Sequence, residues 1–404
     1  MILYTSIGEI YVKLARPVWA EINLDNLAHN MREVRRVVNP NSKVMAVIKA
    51  DGYGHGAVCI GQVLLDNGAN RFAVATLSEA IQLRISFPSV EIMVLGYTPN
   101  ELASDIIENN IIQTIYTKEQ ALAYSKIAVS LKKQVKVHIK LDTGMSRLGM
   151  VFSDETIESI LEMSKLDGLD IEGIFTHFAV ADEIDKEFTF KQVEKFNYIV
   201  KNLEERGLII PIKHVSNSAG IIDLPEFNFD MVRAGIMLYG LYPSKDVNTN
   251  AVDLKEVMCL KAKVSQVKNL DAGCGVSYGL KYKSDKKSQI ATLPIGYADG
   301  FTRMLSGKAS VMINGFKTPI IGSICMDQCI IDVTNLNVKV GDEVVLFGGN
   351  DANGISIDSI AHSLNTINYE VVCMVDKRVP RVYFKDEKLV DIKDYVLILS
   401  DKKS

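Results

Sequence analysis

From residue 43 to about residue 240, short apolar runs alternate with stretches whose apolar residues recur at helical spacing, the pattern of βα units that build a parallel sheet. The runs predicted as strands are Lys43–Ile48, Phe72–Ala75, Ile92–Leu95, Gln113–Ile115, Val135–Leu141, Ile171–Thr176, Ile212–Val215 and Met231–Ile236. Eight such units close most simply as a (β/α)8 barrel of the TIM type. Ahead of them Leu24, Leu27, Met31, Val34 and Val38 share one helix face, with Asn23 placed to cap it. Past residue 254 the pattern changes to β-branched and aromatic runs with tight turns. Asn314-Gly315 between Ser310–Ile313 and Phe316–Pro319 signals a type I′ hairpin. One helix-like segment, Ser356–Leu364, interrupts these strands. The chain therefore divides into a barrel over 18–253 and a mainly antiparallel β domain over 254–404, with an N-terminal extension over 1–17 that packs with the latter.

Composition supports this division without adding to it. Over 404 residues, 48% apolar and 23% charged content supplies ample core and carries no disorder signature. A net charge of −4, with no basic stripe, argues against nucleic acid as a partner. No apolar run reaches membrane-spanning length and the N-terminus lacks the features of a secretion signal, so a cytoplasmic protein is expected. The six cysteines show no CxxC spacing, and neither a disulfide framework nor a metal site is expected.

Chemistry concentrates where predicted strands end, because the loops after barrel strands form the active face. Lys49 follows the first run, in the decamer VIKADGYGHG, and opens a loop of three glycines. A lysine held in such a loop with a depressed pKa is a nucleophile suited to Schiff-base chemistry, although a lysine after an apolar strand is commonly a snorkelling surface group. His177 follows the sixth run and Ser218 the seventh, while Arg233, Gly235 and Ile236 lie in the eighth. Loops seven and eight of such barrels frequently bind phosphate, so Ser218, Gly235 and Ile236 suggest an anion cup. On spacing alone, turn residues are an equal reading. Lys140, Asp142 and Arg147 gather at the end of the fifth run, where a solvated face is the plain alternative.

Read whole, these segments resemble the alanine racemases, a family of fold-type III pyridoxal phosphate enzymes. The decamer resembles their cofactor attachment segment, Leu141–Gly149 their LDTGM-x-R-x-G segment, and VRAGI, GVSYG, PIGYADG, CMDQ and TINYEV further markers in the family order. The resemblance implies Lys49 as the Schiff-base amine and one acid/base, Tyr278 as the second on the opposite face, and racemisation of alanine between them. It places Tyr53 near the cofactor phosphate, Arg147 at its phenolic oxygen, Arg233 at its pyridine nitrogen backed by His214, and His177 and Tyr369 within its surroundings. A permanently protonated guanidinium leaves the ring nitrogen unprotonated, which weakens the electron sink and disfavours transamination. Met326 would meet the substrate carboxylate through its backbone N–H, and Tyr297 and Tyr369 would narrow the access route. Asp327 reads as an electrostatic brace or a turn cap. In many members the lysine at Lys140 is carbamylated, giving Arg147 an anionic partner. The family pattern further implies a homodimer whose sites take Lys49 from one chain and Tyr278 from the other, and a role in supplying D-alanine for peptidoglycan. A carrier of the cofactor without catalysis would lack Tyr278 and its domain, and a related decarboxylase would set a carboxylate where Arg233 stands. A racemase of broader range, acting for example on serine, shares every motif.

Overall fold

A computed structural model describes residues 14–349 and 354–397. The described residues form two compact units, one of 28–52 and 57–254 and the other of 14–27, 53–56, 255–349 and 354–397.

In the first unit the eight expected strands are present as Lys43–Val47, Arg71–Val74, Glu91–Val94, Ile112–Ile115, Val135–Asp142, Leu169–Phe175, Ile212–His214 and Met231–Ala234. They are numbered one to eight below. All neighbouring pairs are parallel, and strand eight hydrogen-bonds to strand one through the pairs Met231↔Lys43 to Ala234↔Ala46. Strands seven and eight complete the circle less regularly, through Asp230 N–H to Lys213 O (3.1 Å) and Arg233 N–H to Ser216 O (3.1 Å). Strand eight is shorter than the run Met231–Ile236. Gly235, at φ −114° and ψ −108°, leaves the extended conformation, and Ile236–Tyr239 turn as a 3-10 helix. The barrel interior mixes buried aliphatic side chains with buried Arg71, His138, Lys140, His214 and Arg233. So many polar groups in a core must be hydrogen-bonded to be tolerated.

The second unit is built on a seven-stranded sheet in the order Phe316–Pro319, Ser310–Ile313, Glu343–Phe347, Met258–Lys263, Val18–Asn23, Arg381–Lys385, Lys388–Lys393. A three-stranded antiparallel sheet joins Gln266–Leu270, Ser288–Leu293 and Cys329–Asp332. Asn314 and Gly315 have φ of 49° and 79°, as the type I′ hairpin requires. The partition at residue 18 set Val18–Asn23 with the barrel. This strand instead lies inside the β-rich sheet, antiparallel to Met258–Lys263 and parallel to Arg381–Lys385. Its sequence, VWAEIN, is buried on both faces, and a strand without a free edge or a free face belongs in the middle of a sheet. Residues 1–13 of the extension lie outside the described residues, while Leu14 packs on Trp19, Val382 and Leu389. The helix expected after Asn23 runs Leu24–Val37, capped by Asn23 Oδ1 accepting from Asn26 N–H at 2.9 Å. Beyond Ile357–Leu364, capped by Ser356, a second helix not expected from the sequence covers Asn368–Cys373. No helix among the described residues is long and apolar enough to cross a membrane.

Candidate active site

Lys49 emerges from strand one into a turn of left-handed backbone, with φ of 52° at Ala50, 52° at Asp51 and 65° at Gly52. Only the last is a glycine, so Ala50 and Asp51 carry strain of about 1–2 kcal/mol each. Three bonds hold them. Gly52 N–H reaches Ile48 O (2.8 Å), Ala57 N–H reaches Asp51 Oδ1 (2.9 Å), and Ala50 N–H reaches Glu79 Oε1 (2.5 Å). The other Glu79 oxygen accepts from Ala75 N–H (2.9 Å) and Thr76 N–H (3.1 Å), closing a capping box on the helix Leu77–Ser86. One carboxylate thus ties the lysine turn to the next βα loop. Glu79 was not singled out in the sequence; its box T-L-S-E is legible there, its second partner is not.

Strand eight delivers Arg233 beside strand one. The guanidinium is buried and surrounded by acceptors that carry no formal charge. Its Nη1 donates to His214 Nδ1 (2.9 Å) and His214 O (3.1 Å), and its Nη2 to Thr176 O (2.8 Å), Val215 O (2.8 Å) and His177 Nδ1 (3.2 Å). Among the described residues no hydrogen bond uses Nε. Burial, aided by the charge of Arg147, lowers the Arg233 pKa to about 9. Burial first, then the cations Arg233, Lys140, Arg147 and Lys49, push His177 well below the ordinary histidine value. The imidazole is therefore neutral, and the positive charges of the site converge on it.

Lys140, on strand five, is buried with its Nζ 4.9 Å from the Phe175 ring centre. Burial, and behind it Arg233 and Arg147, hold the pKa of its amine well below the usual lysine range. Asp142 shapes the following loop by accepting Gly144 N–H (2.9 Å) and Ser146 N–H (3.0 Å). The loop presents Arg147, which is exposed and forms no hydrogen bond or ion pair with the described residues. Two guanidinium groups and a buried amine leave a place suited to an anion.

After strand seven, Ser218 opens the helix Ser218–Asp223 and Ile236 opens the 3-10 turn. The first N–H groups of a helix have no partner inside it, so both offer donors. Ser218 Oγ accepts Gly235 N–H at 3.0 Å, which brings the two loops together. A cup of backbone donors results, fit for a phosphate.

In the second unit, Tyr53 is buried and meets the Tyr369 ring at 6.2 Å between centres. Segment 53–56 is fixed by Arg381 Nε donating to Gly54 O (2.8 Å) and Tyr383 Oη donating to His55 O (2.9 Å). Tyr278 is 69% exposed, in a turn where Ser323 Oγ donates to Tyr278 O at 3.0 Å. Tyr297 and Met326 are exposed on adjoining loops, joined through Tyr297 N–H to Cys325 O and Ala298 N–H to Met326 O, both 3.0 Å. Asp299 anchors them. Fully buried, it accepts Gly296 N–H (3.0 Å) and both terminal nitrogens of Arg16 (2.5 and 2.7 Å). Asp327 pairs with Arg378 (2.7 Å). Lys49, Lys140, Arg147, His177, Ser218, Arg233, Gly235 and Ile236 thus fall in the barrel unit, and Tyr53, Tyr278, Tyr297, Met326 and Tyr369 in the other.

Residues 22–243 match the family model of the alanine racemase N-terminal domain, and residues 257–383 that of the C-terminal domain. The chain belongs to the alanine racemase family. It is 50% identical over 382 residues to alanine racemase 1 of Clostridium acetobutylicum, spanning 94% of this chain and 99% of that one. Among solved structures, the alanine racemase of Clostridium difficile superposes with a TM-score of 0.91 at 46% identity, covering 95% of this chain and 100% of the other. A Bacillus anthracis alanine racemase with bound L-Ala-P reaches 0.90 at 33% identity, covering 95% and 99%. The family fold, a barrel followed by a β-rich domain, is the fold expected from the alternating and then β-branched pattern.

Proposed function

We propose that this chain interconverts L- and D-alanine with pyridoxal 5'-phosphate, Lys49 and Tyr278 acting as the two proton-transfer groups. The observation that carries the reading is the pairing, on adjacent strands one and eight, of a lysine held in a strained turn with a buried arginine whose Nε has no acceptor among the described residues. That donor, set among uncharged acceptors, fits an aromatic ring nitrogen. The Ser218, Gly235 and Ile236 loops fit its phosphate. Pyridoxal phosphate, when bound, supplies an electron sink that acidifies the substrate Cα–H.

The residues of the chain do the rest. Lys49 holds the cofactor through its amine and exchanges a proton at Cα on one face. Tyr278 serves the other face through its phenolic oxygen, and inversion follows because removal and return occur on opposite sides. Arg233 can only donate, so it leaves the ring nitrogen without a proton and restrains the sink. Ser218, Gly235 and Ile236 would hold the phosphate and Arg147 would meet the phenolic oxygen, and Tyr53, His177 and Tyr369 complete the cofactor-binding set of this reading. Lys140 is carbamylated in this reading: burial and the charges of Arg233 and Arg147 depress the pKa of its amine, whose deprotonated form adds carbon dioxide and releases a proton, and the carbamate then braces Arg147. Met326 N–H receives the substrate carboxylate, and Tyr297 restricts side-chain size to that of alanine. The high exposure of Tyr278 supports a homodimer in which it completes the site of the partner subunit. The reaction takes place in the cytoplasm and supplies D-alanine for peptidoglycan. Racemisation by the purified protein, measured with and without added pyridoxal phosphate on alanine, serine and lysine, tests the reading. Cofactor-dependent turnover with alanine strongly preferred is expected; comparable rates on all three amino acids, or none, would overturn it.

A further inference from the structure

Beneath Arg233 the barrel core holds a line of polar side chains that the reaction does not use. His214 Nδ1 receives Arg233 Nη1 at 2.9 Å, His214 Nε2 lies 2.8 Å from His138 Nδ1, and His138 Nε2 lies 3.0 Å from Glu172 Oε2. Both imidazoles are wholly buried. Glu172 is bound in turn by Arg71 (2.5 Å) and Lys136 (2.9 Å), and these two also reach Glu91, at 2.6 and 2.8 Å. Arg71 and Glu91 open strands two and three, so the line ends at the face opposite the active loops. Residues there ordinarily serve stability alone.

The line has a direction. A guanidinium only donates and an ionised carboxylate only accepts, whereas a neutral imidazole does one of each. Burial lowers the pKa of both rings, keeping them neutral. Burial opposes ionisation of Glu172, yet hydrogen bonds from His138, Arg71 and Lys136 prevail and hold its carboxyl far below the ordinary range. With a donor-only group at one end and an acceptor-only group at the other, a single arrangement satisfies all three bonds: each ring carries its proton on Nε2. The backbone makes room for it. A Cβ at residue 173 would stand 2.4 Å from His138 Nδ1, and the residue there is glycine.

We propose that Glu172, His138 and His214 form a one-way relay of hydrogen bonds, and that Glu172, at the far end of the barrel, is a positioning residue for Arg233. The inference deepens the reading of Arg233 as the ring-nitrogen partner and rests on it for its bearing on the reaction. The fixed tautomer keeps an acceptor against Arg233 Nη1, so that both terminal nitrogens are engaged and Nε is the donor left over. The opposite tautomers would turn His214 Nδ1–H against Nη1–H and release the guanidinium to rotate.

The full chain, labelled with 15N-histidine, gives the test, since six histidines can be assigned by single substitutions. Long-range 1H–15N correlation reads the ring tautomers with and without pyridoxal phosphate. His138 and His214 are expected neutral and protonated on Nε2 in both samples; a proton on Nδ1 of either overturns the relay. In Glu172→Gln the His138 ring N–H signal should move upfield. The His214 ring N–H, which Glu172 does not touch, should move with it, because bonds in a chain polarise one another. Glu172→Asp, which retains a carboxylate, should restore both signals toward wild type. A change confined to His138 would overturn the positioning role, and the wild-type tautomers decide the matter should the Gln variant not fold. The cofactor-free spectra do not depend on what Arg233 meets. That reading fails separately if Arg233→Glu forms no more pyruvate per racemisation event than wild type.

Discussion

Replacing Glu79 by alanine should damage catalysis although Glu79 lies away from the reacting atoms. The substitution removes its bonds to Ala50 N–H (2.5 Å), Ala75 N–H (2.9 Å) and Thr76 N–H (3.1 Å). Hydrogen bonds to charged groups contribute about 1.5–3 kcal/mol each, and partial exposure with shared geometry brings the set to about 3 kcal/mol. Against this stands the left-handed backbone of Ala50 and Asp51, with φ of 52° at each, storing about 2–4 kcal/mol in total. The two magnitudes match, so loss of Glu79 lets the turn relax toward ordinary backbone and moves Lys49. A displacement near 1 Å at a reacting group lowers turnover about 100-fold. Initial-rate kinetics of L-to-D conversion should therefore show kcat reduced about 10- to 100-fold with a small change in KM, and thermal unfolding should show a lower midpoint. Glu79→Gln, which keeps one oxygen acceptor, should lie between. A Glu79→Ala protein with wild-type kcat and unfolding midpoint would refute the reasoning.

Three further outcomes follow from the same geometry. Asp299→Ala removes the buried carboxylate that holds the half-buried Arg16 and unties the Tyr297 and Met326 loops, so stability should fall by about 1.5–3 kcal/mol and KM for alanine should rise; denaturation and kinetics identical to wild type would contradict this. Burial lowers the pKa values of His138, His177 and His214, so below about pH 6.5 the unfolded chain binds protons that the native chain declines. The histidine contribution should be present above that pH and be lost as pH drops, by up to about 4 kcal/mol per unit, offset by about 1.4 kcal/mol per unit from Glu256, whose carboxyl pKa burial raises to about 7; denaturation free energies equal at pH 7.5 and 5.5 would contradict it. Mixing Lys49→Ala with Tyr278→Phe protein should restore activity, up to about half the wild-type rate per heterodimer if the sites act independently, and no recovery after demonstrated subunit exchange would place both groups in one chain's site.

The barrel was readable because each of its strands is a short apolar run bounded by helix-period segments, and the observed bounds move by one or two residues at most ends. Met231–Ile236 ran long because Gly235 breaks the strand through its backbone angles, which apolar periodicity does not record. Val18–Asn23 was placed with the barrel because its partner Arg381–Lys385 lies some 360 residues away, and periodicity carries no information on pairing at that separation. Of the candidate site residues, Lys49, Ser218 and Arg233 could be proposed from their positions at strand ends. Arg147 and Tyr278 needed the longer motifs, since an exposed arginine and an exposed tyrosine look like ordinary surface. Glu79, Glu172 and Asp299 were missed for a common reason: each acts through backbone N–H groups or partners distant in sequence, so its residue type alone carries no sign of the role. His138 stands two residues before Lys140 on the same face of strand five, which, with His214 and Arg233 in the last two strands, is a legible hint of a polar barrel interior.

The measurement that bears most directly on the two-base account is exchange of the alanine Cα hydrogen with solvent deuterium, followed separately from each enantiomer. Wild-type protein with pyridoxal phosphate should exchange both. Tyr278→Phe should retain exchange with D-alanine and lose it with L-alanine, because Lys49 still serves the one face and nothing serves the other. Equal loss with both enantiomers, or undiminished exchange with L-alanine, would contradict the assignment of Lys49 and Tyr278 to opposite faces.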